Sequence, residues 1–227
     1  MQGDPISLVD RTIDRLDDAL RAAGFDGLAP ATEATFLDEL EKEIAPYSLP
    51  QDLRRFWERI EPSGLRVRGY SLPEPCGPRG ALDTYRLNRN PAFLPFYGPP
   101  LLLPIARISG DQWSVELVSA WGTGGTLFSH DGETMRIEYP SFTDLIDVYA
   151  ELIEEDRFVR WDNGYGSVSR EDEQERRQAR LTASVLHPQY GETREFGGDP
   201  AGWPAHWLES AGIAGDSSDS SPESPSR

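Results

Sequence analysis

Cysteine is nearly absent from this 227-residue chain: Cys76 stands alone. One thiol excludes an internal disulfide and any zinc cluster built on thiolates, and Cys76 sits in a Pro-rich stretch without a histidine neighbour to activate it. Lysine also occurs once, as Lys42, so arginine carries nearly all of the positive charge. The three histidines, His130, His187 and His206, are too far apart for the helical spacing of a metalloenzyme. His130 beside Asp131 reads as a polar residue of a turn. A Gly-x-Ser-x-Gly elbow is missing. The stretch Gly122-x-Gly124-Gly125 lies between strand candidates, not at the strand-to-helix junction where a phosphate cradle forms. No run approaches the ~20 apolar residues that a membrane span needs. These absences leave no catalytic residue, no metal ligand and no cofactor to expect. Carboxylate pairs such as Asp111 and Glu116 are all that remains for acid–base chemistry, and an acidic chain offers many such pairs.

Negative charge, by contrast, is abundant. Thirty-nine Asp and Glu face 22 Lys and Arg, for a formal net charge of −17. Such a field repels nucleic acid and anionic membrane surfaces over most of the protein. It attracts a basic partner, and can raise association rates by ~10–10³ at low salt. The plainer reading is that the acidity keeps the protein soluble. Hydrophobic content of 37% is below the usual ~45–50%, a figure that also counts Gly, and fits an ordered core with a polar tail. The length favours one domain with appendages.

The chain is organised around residues 101–153. An apolar run, Leu101 to Ile108, turns at Ser109-Gly110-Asp111. The next segment alternates, with Trp113, Val115, Leu117 and Ser119 on one side and Ser114, Glu116, Val118 and Ala120 on the other. A period of two predicts one buried face and one wholly or partly wet. After the Gly-rich break come Thr126 to His130, a type I′ turn at Asp131-Gly132, and a return strand from Thr134 to Tyr139. Pro140 stops that strand, and Ser141 caps a helix with Phe142, Leu145, Ile146, Tyr149 and Ile153 on one stripe.

Upstream, Pro5 opens an amphipathic helix with Val9, Ile13, Leu16 and Leu20 inward, ended by Gly24. No basic and then apolar leader precedes it, so the expected compartment is the cytoplasm. A second helix carries Phe36, Leu37, Leu40 and Ile44, with Thr32 or Thr35 near its cap, and stops at Pro46. A third starts at Pro50 with Leu53, Phe56, Trp57 and Ile60 buried. Val67, Tyr70 and Leu72 predict a short edge strand, Leu72 to Gly80 an exposed loop, and Ala81 to Asn90 a short helix. Phe93, Phe96 and Tyr97 either staple the following loop to the sheet or wait for a partner. Downstream, Phe158, Val159 and Trp161 form one short strand before a turn at Asp162-Asn163-Gly164. Ser169 caps a highly charged helix from Arg170 to Ala183 that is solvent-bridging or marginal by itself. Trp203 and Trp207 dock on the body or on a partner, and a disordered tail is expected from Ala214.

The order of these features resembles the SUKH superfamily, the fold shared by a fungal cell-wall-assembly regulator and many bacterial immunity proteins. The matching stretches are Leu49-Pro50-Gln51-Asp52-Leu53-Arg54-Arg55-Phe56-Trp57, Pro104-Ile105-Ala106, the Gly-rich break into a hairpin, and Ser141-Phe142-Thr143-Asp144-Leu145. They cover roughly residues 32–158. One departure is Glu61-Pro62-Ser63-Gly64 and a long Pro-rich insert, where family members usually have an Asn-Gly-like turn. The expected fold is therefore α+β: N-terminal helices, a small mainly antiparallel sheet and a closing amphipathic helix, with a charged helical and disordered C-terminal extension. The expected divisions are 1–31, 32–160, 161–213 and 214–227.

The resemblance implies a non-enzymatic immunity protein that masks a basic toxin, often a nuclease. A regulatory scaffold without a toxin is the alternative, and an unrecognised hydrolase the third. The sequence leaves the oligomeric state open. The expected partner surface is the sheet and its hairpin, with Asp111, Glu116, Trp121, Asp131 and Glu133 as its residues. Trp121 has a second reading, as a residue closing the core at a strand end.

Overall fold

The computed structural model of the chain describes residues 5–72, 74–90, 98–108, 111–120, 122, 124–184, 190 and 193–213. Phe93, Phe96, Tyr97, Trp121, His187 and the tail from Ala214 lie outside them. Seven α-helices and two sheets among the described residues make the expected α+β fold. The helices are α1 (Pro5–Ala22), α2 (Leu37–Ile44), α3 (Gln51–Arg59), α4 (Pro78–Asn88), α5 (Phe142–Glu154), α6 (Arg170–Ala183) and α7 (Ala205–Ser210). The strands are β1 (Val67–Arg68), β2 (Leu102–Ile108), β3 (Asp111–Glu116), β4 (Leu127–His130), β5 (Thr134–Tyr139), β6 (Phe158–Arg160), β7 (Gly166–Val168) and β8 (Glu195–Gly197). An antiparallel sheet runs β2-β3-β4-β5-β8, and a small one β1-β7-β6.

The main core lies between one face of the large sheet and the helices. Leu103, Ile105, Trp113, Val115 and Leu117 meet Leu53, Phe56 and Trp57 of α3 and Leu145, Ile146 and Tyr149 of α5. The Trp57 indole donates to the Cys76 carbonyl at 3.2 Å, so its polar atom is satisfied inside the core. Val9, Ile13, Leu16 and Leu20 of α1 join the same cluster, and α1 packs along α5. β6 and β7 straddle residue 160 and pair with each other. The divisions at 31 and 160 therefore do not separate independent cores.

The opposite face of the large sheet corrects the expectation of a wet side. Phe128, Met135, Ile137, Leu101 and Leu102 are buried there beneath Tyr190, Phe196, Trp203 and Trp207. Phe196 and Phe128 lie 5.0 and 5.2 Å from the Trp207 ring, in tilted and edge-on contacts. The tryptophans of the extension thus dock on the body. β3 alternates as the sequence implies, but both of its faces are covered.

Two local expectations also change. Leu72 to Gly80 is not an exposed loop. The Cys76 N–H donates to Ile105 and the Arg107 N–H to Glu74, lacing the segment to the edge of β2, and Pro78 opens α4, where a missing N–H costs nothing. The strand predicted over Val67 to Leu72 is reduced to Val67–Arg68. Helix α6, lacking an apolar stripe, is held by polar contacts instead. The buried Glu173 carboxylate accepts from the Tyr70 and Ser71 N–H groups at 2.8 and 3.0 Å, Arg176 pairs with Glu155, and Arg180 pairs with Asp147 and Glu151.

Candidate functional site

Register decides which of the expected contact residues meet. Gln112 of β3 pairs with His130 of β4, so Asp111 at the start of β3 and the turn after His130 lie side by side at one end of the sheet. Asp111 is half-buried there, and Asp131 and Glu133 are exposed. The β4–β5 turn is not the expected type I′, because Asp156 is the only non-glycine among the described residues with positive φ. Gly132 alone turns left-handed, with φ 89°. The Asp131 carboxylate completes the turn by accepting from the Thr134 and Glu133 N–H groups at 2.9 and 3.2 Å. Partial burial opposes ionisation of Asp131. Those two N–H groups and the Arg136 guanidinium 3.8 Å away outweigh it and hold the carboxyl below its ordinary value.

Glu116 does not belong to this surface. It ends β3 at the far end of the strand, fully buried. One oxygen, Oε1, lies 2.8 Å from His206 Nε2 and accepts from the Trp207 indole at 3.2 Å. Burial, then the charge of Glu116, push the Tyr190 phenol upward. Alternation placed Glu116 on the solvent face because nothing local announces that a segment ninety residues away covers it. The available signal was the spacing of Trp203, His206 and Trp207, whose i, i+3, i+4 stripe needs a surface to cover. His130 is likewise no exposed turn residue. It is 4% exposed, its Nε2 has no hydrogen-bond partner, and burial pushes its pKa down to about 4.

Three of the stretches quoted for the SUKH resemblance, at 50–52, 124–125 and 141–144, line a different feature. Pro50, Asp52, Gly124, Gly125, Ser141 and Thr143 line one cleft of about 400 Å³, walled on its apolar side by Leu8 and Val118. At its base Asp52, in the first turn of α3, accepts from its neighbour Leu53 at 2.8 Å. Its other oxygen accepts from the N–H and hydroxyl of Thr143, in the first turn of α5, at 2.9 and 3.2 Å. Two helix N-termini thus share one carboxylate, the charge their exposed N–H groups favour. Burial nonetheless leaves the Asp52 carboxyl raised. Ser141 caps α5 as expected, accepting from the Asp144 N–H at 3.1 Å. Gly124 closes the loop because a Cβ there would lie 2.6 Å from the Val118 Cα. The cleft is a joint in which Asp52 already has three donors. Sequence reasoning passed over Asp52, although an acid in the first turn of a helix is a recognisable partner for N–H groups.

Among the described residues no three His, Cys, Asp or Glu side chains are grouped to hold a metal ion, and no helix is long and apolar enough to cross a membrane. No protein-family model matches the chain, and no curated protein matches it in sequence.

Proposed function

We propose that this is a non-enzymatic protein-binding domain that takes a basic protein partner at the sheet end bearing Asp111, Asp131 and Glu133. The toxin-neutralising role is what the SUKH resemblance implies for such a partner. The observation that carries the reading is the Asp131 turn. Its carboxylate is held ionised by its own backbone and projects beside Glu133 and Asp111 at one rim. A preorganised acidic rim can present carboxylates where a nuclease expects phosphates. The wider field favours the same partner. Arg15, Arg54, Arg55, Arg59 and Arg86 are each tied to carboxylates of the chain itself, and the net charge is −17.

The test is capture from a lysate of the source cell at low and high salt, followed by an activity assay of the captured partner. The expected result is a basic, salt-sensitive protein, a nuclease in the simplest case, that is inactive in the complex. Asp131→Asn with Glu133→Gln should weaken binding about tenfold and flatten its salt dependence. Unchanged affinity and salt slope in that variant would move the contact elsewhere. A partner that stays fully active in the complex would remove the neutralising role.

A further inference from the structure

β6 is an edge strand of the small sheet, and no described strand pairs with its outer side. The Ser169 N–H donates to the Arg157 carbonyl at 2.9 Å, and the Trp161 N–H to the Tyr165 carbonyl at 2.7 Å. In an antiparallel pair such bonds fall on alternate residues, so 157, 159 and 161 bond to the β7 side. Phe158 and Arg160 therefore turn their N–H and C=O groups outward. Natural sheets blunt an open edge with a bulge, a proline or lysines. Here the register from 158 to 160 is unbroken, and Asp156 to Asp162 contains neither proline nor lysine. The β2 edge, by contrast, is laced by residues 74 and 76, and neither β1 nor β8 exposes a large apolar side chain.

Side chains alternate along the strand, so Val159 and Trp161 share the face turned away from the core, 61% and 44% exposed. Phe158 packs inward on Phe25 with ring centroids 5.4 Å apart, and the Arg160 guanidinium lies over the same ring at 4.4 Å. A groove of about 490 Å³ beside Phe158 is lined by Ala19, Ala22, Ala23, Ile153, Glu154 and Asp156. Its alanines leave room for a second layer of chain. The charge here is balanced: residues 156–162 hold two arginines and two aspartates on a chain of net charge −17. Such a segment selects neither a basic nor an acidic partner, and it is where an equally acidic copy meets least local repulsion.

We propose that a second copy of this chain docks here, antiparallel, so that two small sheets join into one about a twofold axis at Val159. In that register the outward groups of Phe158 pair with those of Arg160 of the second copy, and the reverse. Val159 meets its own counterpart, and Arg157 comes opposite Trp161 of the second copy, a cation–π pair on each side of the axis. Arg160 shares a face with Asp156 of the second copy, one step diagonally along the ladder. The contact uses the same patch on both copies, so it closes at a dimer. It is independent of the acidic rim at Asp131.

Sedimentation of the full chain over a concentration series tests this. A monomer–dimer equilibrium is expected, tightening severalfold from about 0.01 M to 0.15 M ionic strength as repulsion between two acidic copies is screened. Val159→Lys, which sets two ammonium groups face to face, should weaken it about tenfold. Leu87→Ala, an exposed apolar change on α4, should leave it unchanged. Val159→Cys reads the register. Facing residues of a non-hydrogen-bonded pair lie about 4.5 Å apart at Cα, within disulfide reach, so mild oxidation should trap a cross-linked dimer. Trp161→Cys, which faces Arg157, should trap far less. Cys76 does not compete, because burial pushes its thiol up to about 12. A monomer at every concentration and salt, a dimer indifferent to Val159→Lys, or equal trapping at 159 and 161 would each overturn the proposal.

Discussion

Oε1 of Glu116 and Nε2 of His206 lie 2.8 Å apart, ninety residues distant in sequence, and both side chains are buried. The same Oε1 also accepts from the Trp207 indole at 3.2 Å. The contact joins the central sheet to α7 and, with the Trp207 indole, anchors the aromatic layer that covers the sheet's second face.

Truncating that anchor should loosen the layer. Trp207→Ala should cost about 3–5 kcal/mol, as for other fully buried large side chains. Glu116→Ala removes the buried partner of the Trp207 indole and of the His206 ring and should cost a similar ~3–5 kcal/mol, while Glu116→Gln, which keeps an acceptor, should cost less. Urea midpoints of the three variants check the order. An unchanged midpoint in Glu116→Ala would mean that α7 is not seated on the sheet in solution.

His130 predicts an acid-side loss of stability. Its folded pKa, about 4, lies below the ~6.5 of an unfolded histidine. Between those values the unfolded chain takes up a proton that the folded protein refuses, so stability falls as pH falls, by up to about 1.4 kcal/mol per pH unit. Asp52 and Glu173, whose carboxyls burial raises, run the opposite way, costing stability as pH rises from their unfolded to their folded values. The quantity to measure is therefore the difference between wild type and His130→Leu across pH 4 to 6.5. A constant difference would show that His130 titrates normally in the folded protein.

Asp52 should behave as a joint between α3 and α5. Asp52→Ala leaves the Thr143 N–H without its acceptor and should lower stability by about 1–3 kcal/mol. Asp52→Asn keeps an oxygen for Thr143 and removes a buried charge, so its melting temperature should lie nearer wild type. The reverse order would assign the carboxylate's charge, not its acceptor geometry, the holding role.

Glu173 clamps the backbone after Gly69. Glu173→Ala should raise amide hydrogen exchange at Tyr70 and Ser71 more than in the core of α5, because those two N–H groups lose their acceptor while α5 keeps its own ladder. Uniform acceleration across the protein would show that the variant unfolds globally.

Much of the architecture was legible because the signals are local. The stripe through Phe142, Leu145, Ile146 and Tyr149, the cap at Ser141 and the alternation through Trp113 and Val115 each rest on neighbours within a few residues, and each element formed where its period placed it. Trp57 is buried for the same reason, since Leu53, Phe56 and Trp57 share one helical face. The hairpin at Asp131-Gly132 was legible as a hairpin. Its turn type was not, because the Asp131 side chain offered the backbone a second way to close.

The arrangement of the expected contact residues was legible only in part. Asp111, Asp131 and Glu133 lie at one end of the sheet because strand register sets the start of β3 beside the turn after His130, and their acidity was visible beforehand. Glu116 was misplaced, as were the wet face of β3 and the loop before α4, and all three share one cause. A period of two or 3.6 states which residues share a face but not what lies against it. Whether a face is wet depends on segments that arrive from far along the chain: residues 190 and 193–213 over the sheet and residues 74–76 against β2. Local periodicity in the sequence determined the elements and their order, and composition the sign of the molecule's charge. Only tertiary packing decided which polar groups reach water, because burial belongs to pairs of distant segments and not to either segment alone.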